Sequence, residues 1–121
     1  MKEMTVSLGT NLVSINEKLS SIPLIELYEK IAHANPTFTN EIEVLRSVYH
    51  LDAKKYSMMK KALPYFVCAK FDPEVRRLEN FASTSCFVVD IDKIDEDEVT
   101  LEGLKNELDK DDRIAMMFTS P

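Results

Sequence analysis

The stretch SCFVVDIDKIDEDEVTLEGLKNELDKDDRIAMMFTS, residues 85–120, decides the fold predicted for this chain. Its first eight residues are mostly apolar, which is typical of a strand buried on both faces. Leu101, Leu104 and Leu108 then recur at helical spacing. The final apolar run, RIAMMFTS, predicts another strand. Strand, helix and strand in this order predict a right-handed crossover whose two strands are parallel.

Upstream of residue 85, the patterns predict short strands and amphipathic helices. Asn40-x-x-Glu43 resembles a capping box at a helix start, and Asp52 is suited to cap the next helix. The predicted elements are a strand over 4–8, an irregular connection over 9–21, helices over 22–33, 40–50 and from 52 to Pro64, a strand over 65–71 and a short helix after 72. The predicted class is therefore α/β (α+β), with helices packed on a small mixed sheet that ends in the crossover.

Composition excludes several classes of protein. The chain has 121 residues, of which 45% are apolar and 30% charged, so we expect one ordinary globular domain, 1–121. No apolar run approaches the roughly 18 residues of a membrane span, and the N-terminus lacks the apolar core of a signal peptide. A cytoplasmic location is therefore expected. Cys68 and Cys86 lie in apolar runs, which predicts buried thiols in a reducing compartment without a disulfide.

Charge is distributed unevenly along the chain. Residues 90–113 carry 11 Asp/Glu against 4 Lys/Arg, a net of -7, although the whole chain has a net charge of only -6. Residues 54–77 carry seven bases against two acids, a net of +5. Such a basic segment is the minimum footprint for phosphate contacts, although a solvated helix face and loop explain it equally simply.

Asp90 and Asp92 are the candidate metal ligands. If residues 85–92 form a strand, both carboxylates lie on one face, roughly 6.6 Å apart along the strand. Two such carboxylates can share a hard divalent cation or flank a pair of metals, as phosphoryl-transfer enzymes require. The alternative is that one or both cap the following turn. The acidic residues at 95–98 are expected to form a solvated loop and the start of the next helix.

The order of four segments carries a family resemblance. YSMMKKALPYFVCAKF, RRLENF, FVVDIDKI and IAMMFTSP follow one another over most of the chain, from about Met4 to Pro121. This order resembles the VirE N-terminal domain family, found in a Bacteroides protein group, which is similar to archaeo-eukaryotic primases and primase-polymerases. The most specific parts are Lys61-Ala62-Leu63-Pro64 before a strand and the apolar run into Asp90-x-Asp92.

The resemblance implies metal-dependent nucleotidyl transfer on a DNA template, in the replication of mobile elements. Asp90 and Asp92 then match the first primase motif as ligands of Mg²⁺ or Mn²⁺. Ser120 stands at the start of the second motif, and a third acidic residue is expected on a later strand. We therefore expect 1–121 to be the N-terminal part of a larger primase-like domain, inactive or weak alone. A helicase-type ATPase is expected further along the same polypeptide.

The basic segment gains a role from the same resemblance. Five of its bases could contact template DNA or a nucleoside triphosphate, since Arg and Lys bind phosphate. They are Arg76, Arg77, Lys60, Lys61 and Lys70. Two alternatives to the enzyme remain open. One is a non-catalytic DNA-binding or interaction module attached to the ATPase, and the other is a plain structural domain.

Overall fold

The computed structural model describes residues 4–92, 94–95 and 97–119. The chain divides into two compact units. The first unit is described over residues 4–87, and the second over the described residues from 88 to 119. No helix among the described residues is long and apolar enough to cross a membrane.

The described part of the first unit contains three helices and five strands. Its elements are β1 (Thr5–Gly9), β2 (Ser20–Pro23), α1 (Leu24–Ala32), α2 (Pro36–Val48), α3 (Ala53–Lys61), β3 (Tyr65–Val67), β4 (Ala69–Phe71), a 3₁₀ turn (Leu78–Asn80) and β5 (Phe81–Thr84). Two small antiparallel sheets result, one with the order β2-β1-β3 and the other pairing β4 with β5. The predicted α+β class is confirmed, but both sheets are antiparallel rather than one mixed sheet.

The predicted strand over 65–71 is split at Cys68. Before the split, Val67 pairs with Ser7 of β1. After it, Ala69 pairs with Thr84 of β5, so the same run of sequence serves both sheets. Ser7 ties the two together because its buried hydroxyl donates a 2.6 Å hydrogen bond to the carbonyl oxygen of Ala69.

The core of the first unit is small. Four hydrophobic side chains are fully buried among the described residues, and they come from β1, from the residue before β2, from α1 and from α2. They are Val6, Leu19, Leu27 and Leu45. Two of these come from the helical stripes that the sequence spacing predicted, since an amphipathic helix buries only its apolar face. Many other large apolar side chains of the described residues stay exposed.

The second helix begins earlier than predicted. Its N-cap is Asn35, whose side chain accepts a 2.8 Å hydrogen bond from the backbone N–H of Phe38, and Pro36 occupies the first helical position. Proline is favoured there because its missing N–H has no partner in the first turn. The capping box predicted at Asn40 is therefore wrong, and Asn40 lies within α2. The cap predicted at Asp52 is confirmed by its bond from the N–H of Lys55.

The two asparagines give a direct test of the helix start. Asn35→Ala should lower the free energy of unfolding of the first unit by about 1 kcal/mol, since the cap bond is lost. Asn40→Ala should leave it unchanged or slightly higher, since Ala is the better residue in a helix interior. The four tyrosines, at positions 28, 49, 56 and 65, all lie in the first unit, and the chain has no Trp. Urea unfolding followed by tyrosine fluorescence therefore measures both variants. A larger loss for Asn40→Ala would contradict the observed start.

The described residues of the second unit form one helix, α4 (Leu101–Asp109). Thr100 caps it by accepting a 3.0 Å hydrogen bond from the N–H of Gly103. The helix predicted between the two apolar runs is confirmed. The strands predicted on either side of it are not formed, because the described residues over 88–92 and 113–119 lie outside any strand. The predicted parallel crossover is therefore absent from the described chain.

Strand pairing explains the missing first strand. The predicted strand begins with Ser85, whose backbone N–H still donates a 3.1 Å hydrogen bond to the carbonyl oxygen of Cys68. The pairing of β4 with β5 ends at this hydrogen bond, because residues 65–67, which precede Cys68, are paired with β1 instead. An apolar run forms a strand only where a neighbouring backbone accepts and donates its hydrogen bonds.

Candidate functional site

Asp90 and Asp92 lie in irregular chain of the second unit, and both are exposed. The strand face on which they were predicted to stand is therefore not formed. Among the described residues, no group of three or more His, Cys, Asp or Glu side chains is placed to hold a metal ion. Their role as metal ligands stays a prediction.

The chemistry of this donor pair fits Mg²⁺ or Mn²⁺ better than Zn²⁺. Mg²⁺ usually keeps several waters and is held by one or two carboxylates together with substrate phosphates. Two exposed carboxylates separated by one residue can supply that share of the ligands. Zinc, by contrast, takes Cys and His ligands in closed tetrahedral sites.

The acidic residues after Asp92 shape the entry to α4. The side chain of Asp95 accepts a 3.1 Å hydrogen bond from the N–H of Asp97, and its carbonyl oxygen accepts bonds from the N–H groups of Glu98 and Val99. The described acidic residues here, Asp95, Asp97 and Glu98, form an exposed loop as predicted. The prediction that this stretch also starts the next helix is wrong, because α4 begins only at Leu101.

Part of the predicted basic set contacts the loop over residues 10–19 in the first unit. Two arginines contact it, because Arg76 Nη2 donates a 3.3 Å hydrogen bond to the carbonyl oxygen of Leu12, and Arg77 Nη2 donates to Asn16 Oδ1. The N–H of Leu12 donates 3.0 Å to the carbonyl oxygen of Lys61. The consecutive residues Arg76 and Arg77 thus contact this loop with their side chains, and Lys61 contacts it through its backbone carbonyl oxygen.

A carboxylate inside this 10–19 loop holds its shape. Glu17 accepts hydrogen bonds of 3.0 and 2.9 Å from the N–H of Thr10 and a further bond from the Thr10 hydroxyl. The hydroxyl bond first, and the backbone bonds second, favour the charged carboxylate, so they lower the pKa of Glu17 below its ordinary value of 4.5. Ionised Glu17 therefore stabilises the folded loop.

Acid should remove this contribution. A group whose folded pKa is lowered stabilises the fold above its unfolded pKa of 4.5, and the stabilisation is lost as the pH falls through the folded pKa. Glu17→Gln should therefore lower the melting temperature of the first unit by a few degrees at pH 7. At about pH 3 the difference from wild type should shrink. Melting curves by tyrosine fluorescence at both pH values provide the measurement, and a gap that does not change with pH would contradict the assignment.

Arg76 also packs against an aromatic ring. Its guanidinium carbon lies 5.2 Å from the centroid of the Tyr65 ring, a distance typical of a cation–π contact. Gly9 lies against the same ring, because a Cβ atom added at Gly9 would overlap the Tyr65 ring. The Nε of Arg76 is buried and has no hydrogen-bond partner among the described residues. Arg76 thus has a structural role as well as a possible phosphate-binding one.

The remaining predicted bases are more dispersed. Lys60 lies over the Tyr56 ring, with Nζ 5.7 Å from its centroid. Lys70 is exposed on β4, where its backbone pairs with Ser83. Ser120 lies outside the described residues. The structure therefore brings the side chains of Arg76 and Arg77 to one loop, and Lys61 meets the same loop through its backbone.

A shallow apolar groove runs between α2 and α3 in the first unit. It has a volume of about 560 Å³. Apolar side chains from both helices, among them Val44 and Met59, line much of it together with Leu63, which follows α3. Met59 is half-buried and lines this open groove.

Sequence reasoning missed the 10–19 loop as an organising element and treated it as a plain connection. The available signal was local, since Gly9 and Thr10 end a strand and Glu17 follows within reach. The contacts of Arg76 and Arg77 with this loop span more than sixty residues of sequence. No local pattern encodes such contacts.

Comparisons of the chain with protein-family models, with curated proteins and with solved structures found no match.

Proposed function

We propose that the chain is the N-terminal portion of a cytoplasmic primase-polymerase-like domain that acts on a DNA template. In this proposal Asp90 and Asp92 hold Mg²⁺ or Mn²⁺, and the basic set binds template or nucleoside triphosphate. The resemblance of the segment order and the Asp-x-Asp pair support the reaction class. The observation that supports the binding role is that the side chains of Arg76 and Arg77 both contact the 10–19 loop, which Lys61 also meets through its backbone.

Each part of the proposed site has a separate chemical task. When bound, the cation would lower the pKa of an attacking hydroxyl and neutralise triphosphate charge. The carboxylates of Asp90 and Asp92 would supply its protein ligands. Arg77, exposed and anchored through one nitrogen to Asn16, presents further guanidinium donors of the kind that bind phosphate. Arg76 would contribute mainly by fixing the shape of the loop.

The metal role is tested by calorimetric titration with Mn²⁺. Asp90→Asn/Asp92→Asn should weaken binding at least about tenfold, because both proposed charged ligands become neutral amides. The matched control is Asp109→Asn/Asp112→Asn, which removes the same charge from exposed positions of the same unit. The control should bind like wild type. Equal Mn²⁺ binding by wild type and the first variant would overturn the metal assignment.

The DNA role is tested by fluorescence anisotropy with a labelled single-stranded oligonucleotide at several salt concentrations. Arg77→Gln should weaken binding and reduce the slope of log affinity against log salt by about 0.7, the value for one lost phosphate contact on single strands. Lys30→Gln, an exposed change on α1, is the control and should leave the slope unaltered. Arg76 is unsuitable for this test because of its packing on Tyr65. Identical slopes for all three proteins would argue against the proposed interface.

The groove between α2 and α3 favours a second candidate, a non-catalytic module that binds DNA or a protein next to a helicase-type ATPase. Half-buried Met59 in the groove suits protein contacts, since methionine adapts to irregular partners. Under this alternative, DNA binding depends on Arg77 but not on Asp90 or Asp92. Oligonucleotide binding that is the same with and without Mn²⁺, together with no Mn²⁺ binding by wild type, would favour it.

A further inference from the structure

The two cysteines, eighteen positions apart in sequence, are neighbours in the first unit. The hydroxyl oxygen of Thr84 lies 2.8 Å from the carbonyl oxygen of Cys68 and 3.0 Å from that of Cys86. The N–H of Ser85 also donates a 3.1 Å hydrogen bond to the carbonyl of Cys68. These contacts hold the ends of the β4–β5 pair together at the cysteines. The side chain of Cys86 is also near enough to the Cys68 thiol to raise its pKa.

The pair is accessible and chemically unequal. Both thiols are free and only partly buried. The pKa of Cys68 is raised to about 12. Burial is the largest cause, and the hydrogen bond and charge of Cys86 raise it further. Cys68 therefore keeps its proton at neutral pH. The hydroxyl of Ser85 lies 4.0 Å from the sulfur of Cys86, but it donates its proton to the carbonyl oxygen of Thr5, which is closer at 2.7 Å. Because burial and Cys86 disfavour the thiolate of Cys68, and a thiolate is the nucleophile in cysteine chemistry, Cys68 is the poorer nucleophile of the pair.

We propose that Cys68 and Cys86 form a redox-active dithiol that a peroxide oxidises to an intramolecular disulfide. The Cys86 thiolate attacks a peroxide oxygen, so an S–O bond forms, the O–O bond breaks, and Cys86 becomes a sulfenic acid. The Cys68 sulfur then attacks the Cys86 sulfur, the S–S bond forms, and the S–O bond breaks. The Cys68 proton leaves with the departing oxygen as water. With hydrogen peroxide, two thiols are oxidised and one peroxide is reduced to two waters.

The disulfide would tie the junction of β3 and β4 to the second residue after β5. It would close a loop that holds β4, the 3₁₀ turn and β5. Closing a loop of that size restricts the unfolded chain, so the oxidised first unit should melt about 10 °C above the reduced one. A small-molecule thiol such as glutathione would restore both thiols by exchange. The bond would thus act as a reversible clamp on the smaller sheet.

The test treats the reduced chain with hydrogen peroxide, blocks remaining thiols with N-ethylmaleimide and measures the intact mass. The expected product is a monomer that has lost two hydrogens and takes up no blocking reagent, with Cys68 and Cys86 joined in its peptide map. Its tyrosine-fluorescence melting temperature should rise and should return to the starting value after reduction. Retention of both thiols, or disulfides between chains only, would overturn the proposal.

Single variants test the assigned order of attack. In Cys68→Ser, oxidation should stop at a sulfenic acid on Cys86, which dimedone traps as a stable adduct. In Cys86→Ser, Cys68 should give little or no adduct at neutral pH. The opposite pattern would reject Cys86 as the attacking sulfur. The wild-type mass measurement stands alone if either variant fails to fold, because it needs no substitution.

Discussion

Leu45→Ala should destabilise the first unit by about 3 kcal/mol, the largest effect expected from a single substitution here. Leu45 has an exposed fraction of 1% and belongs to a core of only four fully buried hydrophobic side chains among the described residues. Its removal loses the transfer free energy of the side chain and leaves a cavity next to the α2–α3 groove. Since a small domain is stable by only about 5–15 kcal/mol, the loss is a large share of the total.

The neighbouring position supplies the control. Val44 has an exposed fraction of 52%, so Val44→Ala should cost less than about 0.5 kcal/mol. Urea unfolding followed by tyrosine fluorescence measures both variants, since all the tyrosines lie in the first unit. Comparable losses for the two substitutions would mean that α2 does not bury the face described here.

Gly9→Ala is the second substitution with a large expected effect, about 1–3 kcal/mol of destabilisation. The new methyl group would overlap the ring of Tyr65. The ring is held from two sides, because the guanidinium of Arg76 packs on it and Tyr65 pairs with Gly9 through β3 and β1. Relief of the overlap must therefore move the contact between Tyr65 and Arg76.

A double-mutant cycle isolates this cause. If the overlap with Tyr65 is responsible, Gly9→Ala should cost much less in a Tyr65→Ala background than in the wild type. The free energies of unfolding of the four proteins, from urea titrations followed by circular dichroism, give the coupling directly. The same cost in both backgrounds would point to the backbone of Gly9 and away from the ring.

The helices and their caps were predictable because their causes are local. Asp52 and the leucines of α4 act on residues within three or four positions, and the structure confirms both elements. The helix start at Pro36 was missed although its signal was also local. The dipeptide Asn35-Pro36 follows the helix predicted over 22–33, and in the structure it starts the next helix, with Asn35 as its N-cap.

The strands were harder to predict because a strand needs a partner that the sequence does not name. The run at 85–92 has the composition of a buried strand, yet its residues beyond Ser85 are in no strand. The neighbouring run of the same polypeptide, residues 65–71, passes from one sheet to the other at Cys68. That change depends on its pairing with β1, about sixty residues earlier. Composition alone therefore could not place Asp90 and Asp92 on a strand face.

The sequence by itself determined the α+β class, most helix positions, the acidic loop before α4 and the candidate residues for metal and phosphate. These features depend on short-range periodicity, capping and residue chemistry. Only the tertiary structure decided that Arg76 and Arg77 meet the 10–19 loop, that Tyr65 lies against Gly9, and that the two cysteines are neighbours. Each of these contacts joins residues distant in sequence, so it follows from the pairing of strands rather than from any local pattern.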